Sequence, residues 1–184
     1  MKETNKVAVF LYDIASIVVT GIIIIAFIFT FLFRTAGVVG ESMEPTLYSG
    51  DILAVSAHYG NIKSGDIIII TQPNAFNEPI VKRIVAVEGQ TVDIDFDKGI
   101  VYVDDVALDE PYIKEPTRDR EDFMGKVTVP EGHVFVMGDN RNNSTDSRSG
   151  MVGFIDERYI YGKALGRLTP AGQWQIYDGG QNGN

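Results

Sequence analysis

The stretch PIVKRIVAV at residues 79–87 consists mainly of β-branched residues, and the turn-forming residues Glu88-Gly89-Gln90 follow it. β-Branched side chains favour the extended backbone, so the stretch predicts a β-strand. Because side chains alternate along a strand, Lys82 is expected on one face with Ile80, Ile84 and Ala86. Arg83 is then expected on the opposite face.

Similar short apolar runs occur on both sides of this stretch, at residues 52–55, 67–71, 91–96, 100–103, 126–129 and 134–137. Gly- and Asp-containing turns such as Tyr48-Ser49-Gly50-Asp51 bound them, which is typical of antiparallel strands. We therefore predict a mainly β fold. Residues 67–70 are four consecutive isoleucines without alternation, which indicates a strand buried on both faces or one lying against lipid.

An apolar segment, IASIVVTGIIIIAFIFTFLF, precedes the β region at residues 14–33. Its 20 uncharged residues would form a helix of about 30 Å, the thickness of a bilayer's hydrocarbon core. Arg34-Thr35-Ala36 lacks the small-x-small pattern of a cleaved signal peptide, so an uncleaved anchor is favoured over a leader or a buried core helix. Two lysines, Lys2 and Lys6, precede the span and Arg34 follows it, which predicts a cytoplasmic N-terminus and a single pass.

Composition excludes several classes of function. The net charge is −9 and the basic residues are scattered, so no basic patch for nucleic acid is expected. Zero cysteines exclude a disulfide framework, a thiol nucleophile and a cysteine-ligated metal site, and no cofactor is predicted. The predicted organisation is an anchor region at 1–35, one extracytoplasmic β-rich domain at 36–170 and a frayed tail at 171–184.

A candidate nucleophile lies in the segment GESMEPTL at residues 40–47. Ser42 occupies a turn-like loop there, and it is either a nucleophile or a helix N-cap. A nucleophilic serine needs a base. His58 and His133 lie in turns, whereas Lys82 could serve if burial lowers its pKa, or could be an exposed edge-strand lysine.

The polar segment GDNRNNSTDSRSG at residues 138–150 directly follows an apolar run. Asp146 and Arg148 could pair there, and Ser144 could hydrogen-bond near a buried amine, which would support a site around Lys82. A calcium loop is the competing interpretation, but the EF-hand spacing with a terminal Glu is missing.

Taken together, these segments resemble the bacterial type I signal peptidase family, especially its short Gram-positive members. The resemblance rests on four parts in the same order: the anchor, GESMEPTL at 40–47, VKRIVAVEGQTV at 81–92 and GDNRNNSTDSRSGMVGF at 138–154. It implies that Ser42 attacks the scissile carbonyl and Lys82 acts as the unprotonated general base. It also implies that Ser144 orients the amine, while Asp146 and Arg148 form a structural pair.

The resemblance further implies how substrates are bound and where the enzyme acts. The Ser42 N–H would be one oxyanion donor, but some family members place a second serine where this chain has Gly40. Shallow pockets for small substrate residues would be lined by Met43, Leu47, Ile80 and Val81, unless these residues only pack the core. The implied partners are preprotein signal peptides and the lipid bilayer, at the extracellular side of the cell membrane; the oligomeric state is not predicted.

Two other functions are compatible with parts of the sequence. A self-cleaving regulator related to stress-response repressors would use the same Ser/Lys chemistry, but it would need a DNA-binding N-terminus in place of the apolar span. A membrane-tethered β domain that binds a partner without catalysis would need neither Ser42 nor Lys82 to be reactive.

Overall fold

The computed structural model of the chain describes residues 6–31, 33–58, 60–72, 77–169 and 175–176, with the backbone alone at 28–31, 33 and 175–176. Its one long helix, α1, spans Lys6–Phe31. The part Lys6–Phe27 has a mean hydropathy of 2.4 and none of it is buried, so α1 is long and apolar enough to cross a membrane. The helix begins before the predicted span of 14–33 and ends at Phe31.

The rest of the described chain is mainly antiparallel β structure, as predicted. The larger sheet has the order β1-β2-β11-β3-β4-β9-β10, with β12 on β11, and the smaller sheet has the order β7-β6-β5-β8. The strands are β1 (Phe33–Gly37), β2 (Ile52–Ser56), β3 (Ile67–Ile70), β4 (Ile80–Val87), β5 (Thr91–Asp95), β6 (Ile100–Val103), β7 (Val106–Ala107), β8 (Val127–Thr128), β9 (His133–Met137), β10 (Ile155–Asp156), β11 (Ile160–Arg167) and β12 (Gln175–Ile176). A short 3-10 turn, Glu157–Tyr159, connects β10 to β11.

The four isoleucines of β3 are buried on both faces of the larger sheet. Ile67 and Ile69 pack in one core cluster, and Ile68 and Ile70 pack in another. Because both faces are covered by protein, β3 has no alternating polar side. Of the two interpretations of this run, the strand buried on both faces is correct and the strand against lipid is wrong.

Strand β4 carries a bulge that the alternation rule does not anticipate. Ile84 pairs with Val136 and Ala86 pairs with Phe135, so the strand has one extra residue between these two pairs. An extra residue reverses the facing of the side chains beyond it. Ile84 accordingly packs in a different cluster from Ala86, and the predicted common face for these two residues is wrong.

The alternation rule holds at the N-terminal half of β4. Lys82 lies opposite Ile68, whereas Arg83 lies opposite Ile67. Residues directly opposite each other in an antiparallel pair share a face. Lys82 and Arg83 therefore project to opposite sides of the sheet, as predicted.

Strand β11 was not among the predicted strands, although it joins β2 to β3 in the middle of the larger sheet. Its sequence, IYGKALGR, contains two glycines and few β-branched residues. Gly162 is needed because a Cβ there would lie 2.5 Å from Val55 Cγ1 and 2.6 Å from the Ser56 carbonyl oxygen. Close backbone approach therefore replaces β propensity at this position.

The boundaries of the β region differ from the predicted 36–170. Strand β1 begins at Phe33, inside the region assigned to the anchor, and pairs with β2. Within the predicted tail, Gln175–Ile176 pair with β11. The other residues from 171 to 184 lie outside the described chain.

Candidate active site

Ser42 lies in a series of turns between β1 and β2. The Glu44 N–H donates to the Glu41 carbonyl, and the Leu47 N–H donates to the Met43 carbonyl at 2.9 Å. Met43 and Leu47 anchor this loop because their side chains are buried in the core. No helix begins at Ser42 within the described residues 33–58, so the N-cap interpretation is wrong.

Lys82 lies on β4, which is flanked by β3 and β9, so it is not an edge-strand lysine. The residue is only 4% exposed. Its Nζ lies 2.7 Å from Ser42 Oγ, within hydrogen-bonding distance. The two residues are 40 positions apart in the sequence, and the fold brings their polar atoms into direct contact.

Burial lowers the pKa of the Lys82 amine, because the charged ammonium loses its hydration in the protein interior. The carboxylates of Asp146, Glu121 and Asp139 act in the opposite direction, and Arg148 acts with the burial. Burial has the largest effect of these. The site therefore favours a neutral amine beside the serine hydroxyl.

The loop after β9 contains the pair predicted from the sequence. Arg148 Nε donates to Asp146 Oδ1 at 2.8 Å, and neither side chain is exposed to solvent. Ser144 Oγ and the Gly138 N–H both donate to Asp146 Oδ2, at 2.8 and 2.9 Å. Burial alone would raise the pKa of the Asp146 carboxyl, but the hydrogen bonds and charge of Arg148 hold it below its usual value.

Asn140, which is not among the predicted site residues, connects the two loops of the site. Its backbone N–H donates to the Ser42 carbonyl at 3.0 Å, and its Nδ2 donates to the Glu41 carbonyl at 3.0 Å. These two bonds fix the peptide groups on both sides of Ser42. Asn140 lies in the same polar segment as Ser144, and this position could have indicated its role in the site.

Two more buried ion pairs support these loops and were also missed. Arg83 donates to both carboxylate oxygens of Asp139, at 2.8 and 2.6 Å. Arg141 donates to both carboxylate oxygens of Glu110, at 2.9 and 2.6 Å. Bidentate pairing of this kind fixes orientation as well as distance. Asp139 and Arg141 lie shortly after the buried strand β9. A buried charge needs a partner, so their place in the sequence could have indicated two ion pairs.

A groove of about 540 Å³ lies over Ser42 and Lys82. It is lined by Ser42, Lys82 and Ser144, together with Val39, Gly40, Glu41, Ile80, Asn143 and Thr145. Among the four residues predicted to line substrate pockets, Ile80 does line this groove. Met43 and Leu47 are instead buried in a core cluster, against which Val81 packs.

The other candidate groups have different settings. His58 is exposed, and His133 Nδ1 lies 2.7 Å from the Glu131 carbonyl oxygen. Gly40 has a φ of 88°, a conformation that favours glycine, and it supplies no hydroxyl to the groove. In the described part of the chain, no group of three His, Cys, Asp or Glu residues could hold a metal ion.

Comparison with known proteins links this arrangement to one family. The family model described as signal peptidase, peptidase S26, matches residues 11–169. A probable signal peptidase I-1 from Synechocystis sp. is 42% identical over 144 residues, which cover 73% of this chain and 70% of the relative. A signal peptidase I from Bacillus licheniformis is 37% identical over 172 residues, which cover 88% of this chain and 89% of the relative. The crystal structure of a signal peptidase I from Enterococcus faecalis V583 matches 58% of this chain and 98% of its own, with 29% identity and a TM-score of 0.46.

Gly138→Ala tests the close packing of the two loops. A Cβ at position 138 would overlap Ser144 Oγ and the Ser42 carbonyl oxygen, and the latter belongs to the backbone. We expect this substitution to lower the free energy of unfolding by about 1–3 kcal/mol, the usual cost of overpacking. Denaturant unfolding in detergent, followed by circular dichroism, measures the change.

Gly150→Ala is the matched control, because the nearest atom to its Cβ would be Asp122 Oδ2 at 3.8 Å. We expect it to change the free energy by less than about 0.5 kcal/mol. Equal stability of the two variants would contradict the packing described here.

Proposed function

Because the chain belongs to the S26 family of signal peptidases, we propose that Ser42 is its nucleophile and Lys82 its general base. As a family member, the chain is a membrane-bound serine endopeptidase that removes N-terminal signal peptides from preproteins. The observation that supports the assignment of the two residues is the 2.7 Å contact between Lys82 Nζ and Ser42 Oγ. This distance is within the range that a general base needs to take a proton.

The reaction proceeds by acyl transfer. Ser42 Oγ attacks the scissile carbonyl carbon while the neutral Lys82 amine takes the hydroxyl proton. The Ser42 N–H stabilises the oxyanion that forms. When the tetrahedral intermediate breaks down, the C–N bond of the substrate is cleaved and the Lys82 ammonium returns the proton to the leaving amine. Water, deprotonated by the same amine, then attacks the ester carbonyl carbon. The bond from that carbon to Ser42 Oγ breaks, and the Lys82 ammonium returns the proton to Ser42 Oγ.

The neutral state of Lys82 is the condition for this chemistry, because an ammonium has no lone pair to accept a proton. Burial of the amine supplies that condition, since it lowers the pKa of Lys82. We assign Ser144 to the orientation of the amine. Ser144 donates its proton to Asp146 Oδ2, which leaves its oxygen able to accept an N–H from Lys82. Asp146 and Arg148 brace Ser144 from behind.

Substrate binding uses the groove over Ser42. Ile80 is an apolar residue of its wall, two positions before Lys82 on β4, and we assign it to contact with the small side chains of the substrate. Met43 and Leu47 are buried in the core cluster against which Val81 packs, and we assign these three residues to support of the loop and strand that carry Ser42 and Lys82. No cofactor has a place in this mechanism.

The location of the enzyme follows from α1. We propose that α1 crosses the bilayer once, with its N-terminus in the cytoplasm and the β domain outside. None of the part Lys6–Phe27 is buried in the protein, which suits a helix surrounded by lipid. The short connection from Phe31 to Ser42 keeps the serine near the membrane surface, where the cleavage site of a membrane-inserted signal peptide emerges. Anchoring thereby raises the effective concentration of enzyme at its substrate.

Ser42→Ala and Lys82→Ala test the two assigned roles. Each is expected to reduce preprotein cleavage at least about 10³-fold, because the nucleophile or its base is removed. Gel analysis of a preprotein incubated with the purified protein in detergent measures the cleaved fraction. The exposed residues Ser49 and Lys98 provide matched controls as Ser49→Ala and Lys98→Ala, which should cleave at the parent rate. Substantial cleavage by a folded Ser42→Ala or Lys82→Ala variant would refute the assignment.

Single cysteines test the orientation, because the natural chain contains none. Val106 is 66% exposed on the β domain, so Val106→Cys should react with a membrane-impermeant maleimide in intact protoplasts. Thr4→Cys, before the span, should react only after lysis. The reverse pattern of labelling would show that the proposed orientation is wrong.

A further inference from the structure

Glu121 brings a second carboxylate to the loop that supports Lys82. It lies in the irregular excursion between β7 and β8, and its side chain is half-buried. Its Oε2 accepts the Asp146 N–H at 3.5 Å, a long hydrogen bond, and its carboxylate also hydrogen-bonds the Thr145 side chain. Thr145 lines the groove over Ser42. Glu121 therefore lies directly behind the groove wall.

The turn that carries Glu121 is fixed on both sides. Arg148 Nη1 donates to the Asp119 carbonyl at 2.6 Å, and Asp119 Oδ1 accepts the Glu121 N–H at 3.1 Å. On the other side, Phe123 is buried in the core and Asp122 Oδ2 accepts the Gly150 N–H at 3.1 Å. Glu121 itself has a φ of 46°, which is uncommon for a residue with a side chain. These contacts hold its carboxylate at one place relative to Asp146.

The neighbouring cations of the excursion do not neutralise this carboxylate. Arg118 Nη1 donates to the Asp97 carbonyl at 2.8 Å, and the Arg120 guanidinium lies 4.8 Å from the centre of the Phe96 ring. Both Arg148 and Lys82 act on this carboxylate, but Arg148 is already paired with Asp146. Burial, followed by the charge of Asp146, raises the pKa of the Glu121 carboxyl above its usual value.

The charges of Asp146, Glu121, Arg148 and Asp139 act on the Lys82 amine, and Glu121 is joined to the loop beside that amine by its hydrogen bond to the Asp146 N–H. Among them, the carboxylates of Asp146 and Glu121 are the two that most favour the ammonium form of Lys82. The Asp146 charge is required to pair with Arg148, whereas Glu121 forms no ion pair with any residue that the structure describes. Glu121 can therefore tune the amine without breaking the ion pair.

We propose that Glu121 is a positioning residue that sets the proton affinity of Lys82 and stabilises the ammonium formed during the reaction. This inference rests on the proposed role of Lys82 as general base. A base must be neutral to start the reaction, yet it must hold a proton while the tetrahedral intermediate exists. A fixed negative charge favours the second state, and it makes the resting amine easier to protonate in acid.

Glu121→Gln separates this role from a merely structural one. Removing the charge makes Lys82 a weaker base, so the acid limb of the pH profile of kcat/KM should shift to lower pH. At a pH on the parent's acid limb, kcat/KM divided by each enzyme's own plateau value should then be at least about twofold higher for the variant than for the parent. The weaker base should also lower the plateau by about twofold. Damage to the site alone would lower the plateau without moving the limb.

Three further variants complete the test. Glu115 is an exposed carboxylate of the same excursion, so Glu115→Gln makes the same change in net charge and should leave limb and plateau unchanged. Glu121→Asp keeps the charge and should restore the parent limb. Glu121→Ala should shift the limb in the same direction as Glu121→Gln.

The ¹³C chemical shift of the Lys82 ε-carbon reports protonation of the amine, so its pH titration by NMR does not require catalysis. The Lys82 titration should move to lower pH in Glu121→Gln. An unchanged titration in both Glu121→Gln and Glu121→Ala, or an equal shift in Glu115→Gln, would overturn the inference. Failure of the proposed function would be seen separately, as cleavage by the Ser42→Ala or Lys82→Ala variant.

Discussion

Removal of one lysine amine from water is the constraint on which the site depends. Lys82 is 4% exposed and its Nζ lies 2.7 Å from Ser42 Oγ. An uncompensated charge at such a position is costly, so burial shifts the amine toward its neutral form. The strand that carries this amine, β4, lies in the interior of the sheet between β3 and β9, which helps to keep the amine buried. The fold therefore contributes to the chemistry by determining the charge of one nitrogen.

The same burial creates the need for a charged framework around the site. Arg83, Arg141 and Arg148 each form bidentate contacts with a carboxylate. Removing one partner of such a pair typically costs about 3–5 kcal/mol, because the other charge is left buried and unpaired. The three pairs consequently fix the loop at 138–150, and Asn140 of that loop holds the loop at 40–47 through its bonds to the Glu41 and Ser42 carbonyls. The 2.7 Å contact joins Ser42 Oγ in a loop to Lys82 Nζ on a strand, so it can be kept only if the loop is held rigidly.

Sequence reasoning predicted the parts of the structure that follow from local pattern. The apolar helix, most strands and the Asp146–Arg148 pairing were read from runs, turns and proximity in the chain. It failed where non-local contacts decide. Gly162 is in a strand because backbones approach closely there, and the bulge in β4 reverses the facing of Ala86. The sequence left open whether Met43 and Leu47 line a pocket or pack the core, and it did not indicate the approach of Glu121 to Asp146; both depend on how distant segments pack.

The charge of the Lys82 amine in the folded protein decides whether it can act as a base, and titration of that amine measures it. Selective ¹³C labelling of lysine at the ε-carbon, with Lys82→Arg to assign its signal, would follow Lys82 across the pH range in detergent. The account predicts that Lys82 titrates well below the ordinary lysine pKa of 10.5. The exposed Lys98, as an internal reference, should not show this lowering. Titration of Lys82 at or above the ordinary value would contradict the account.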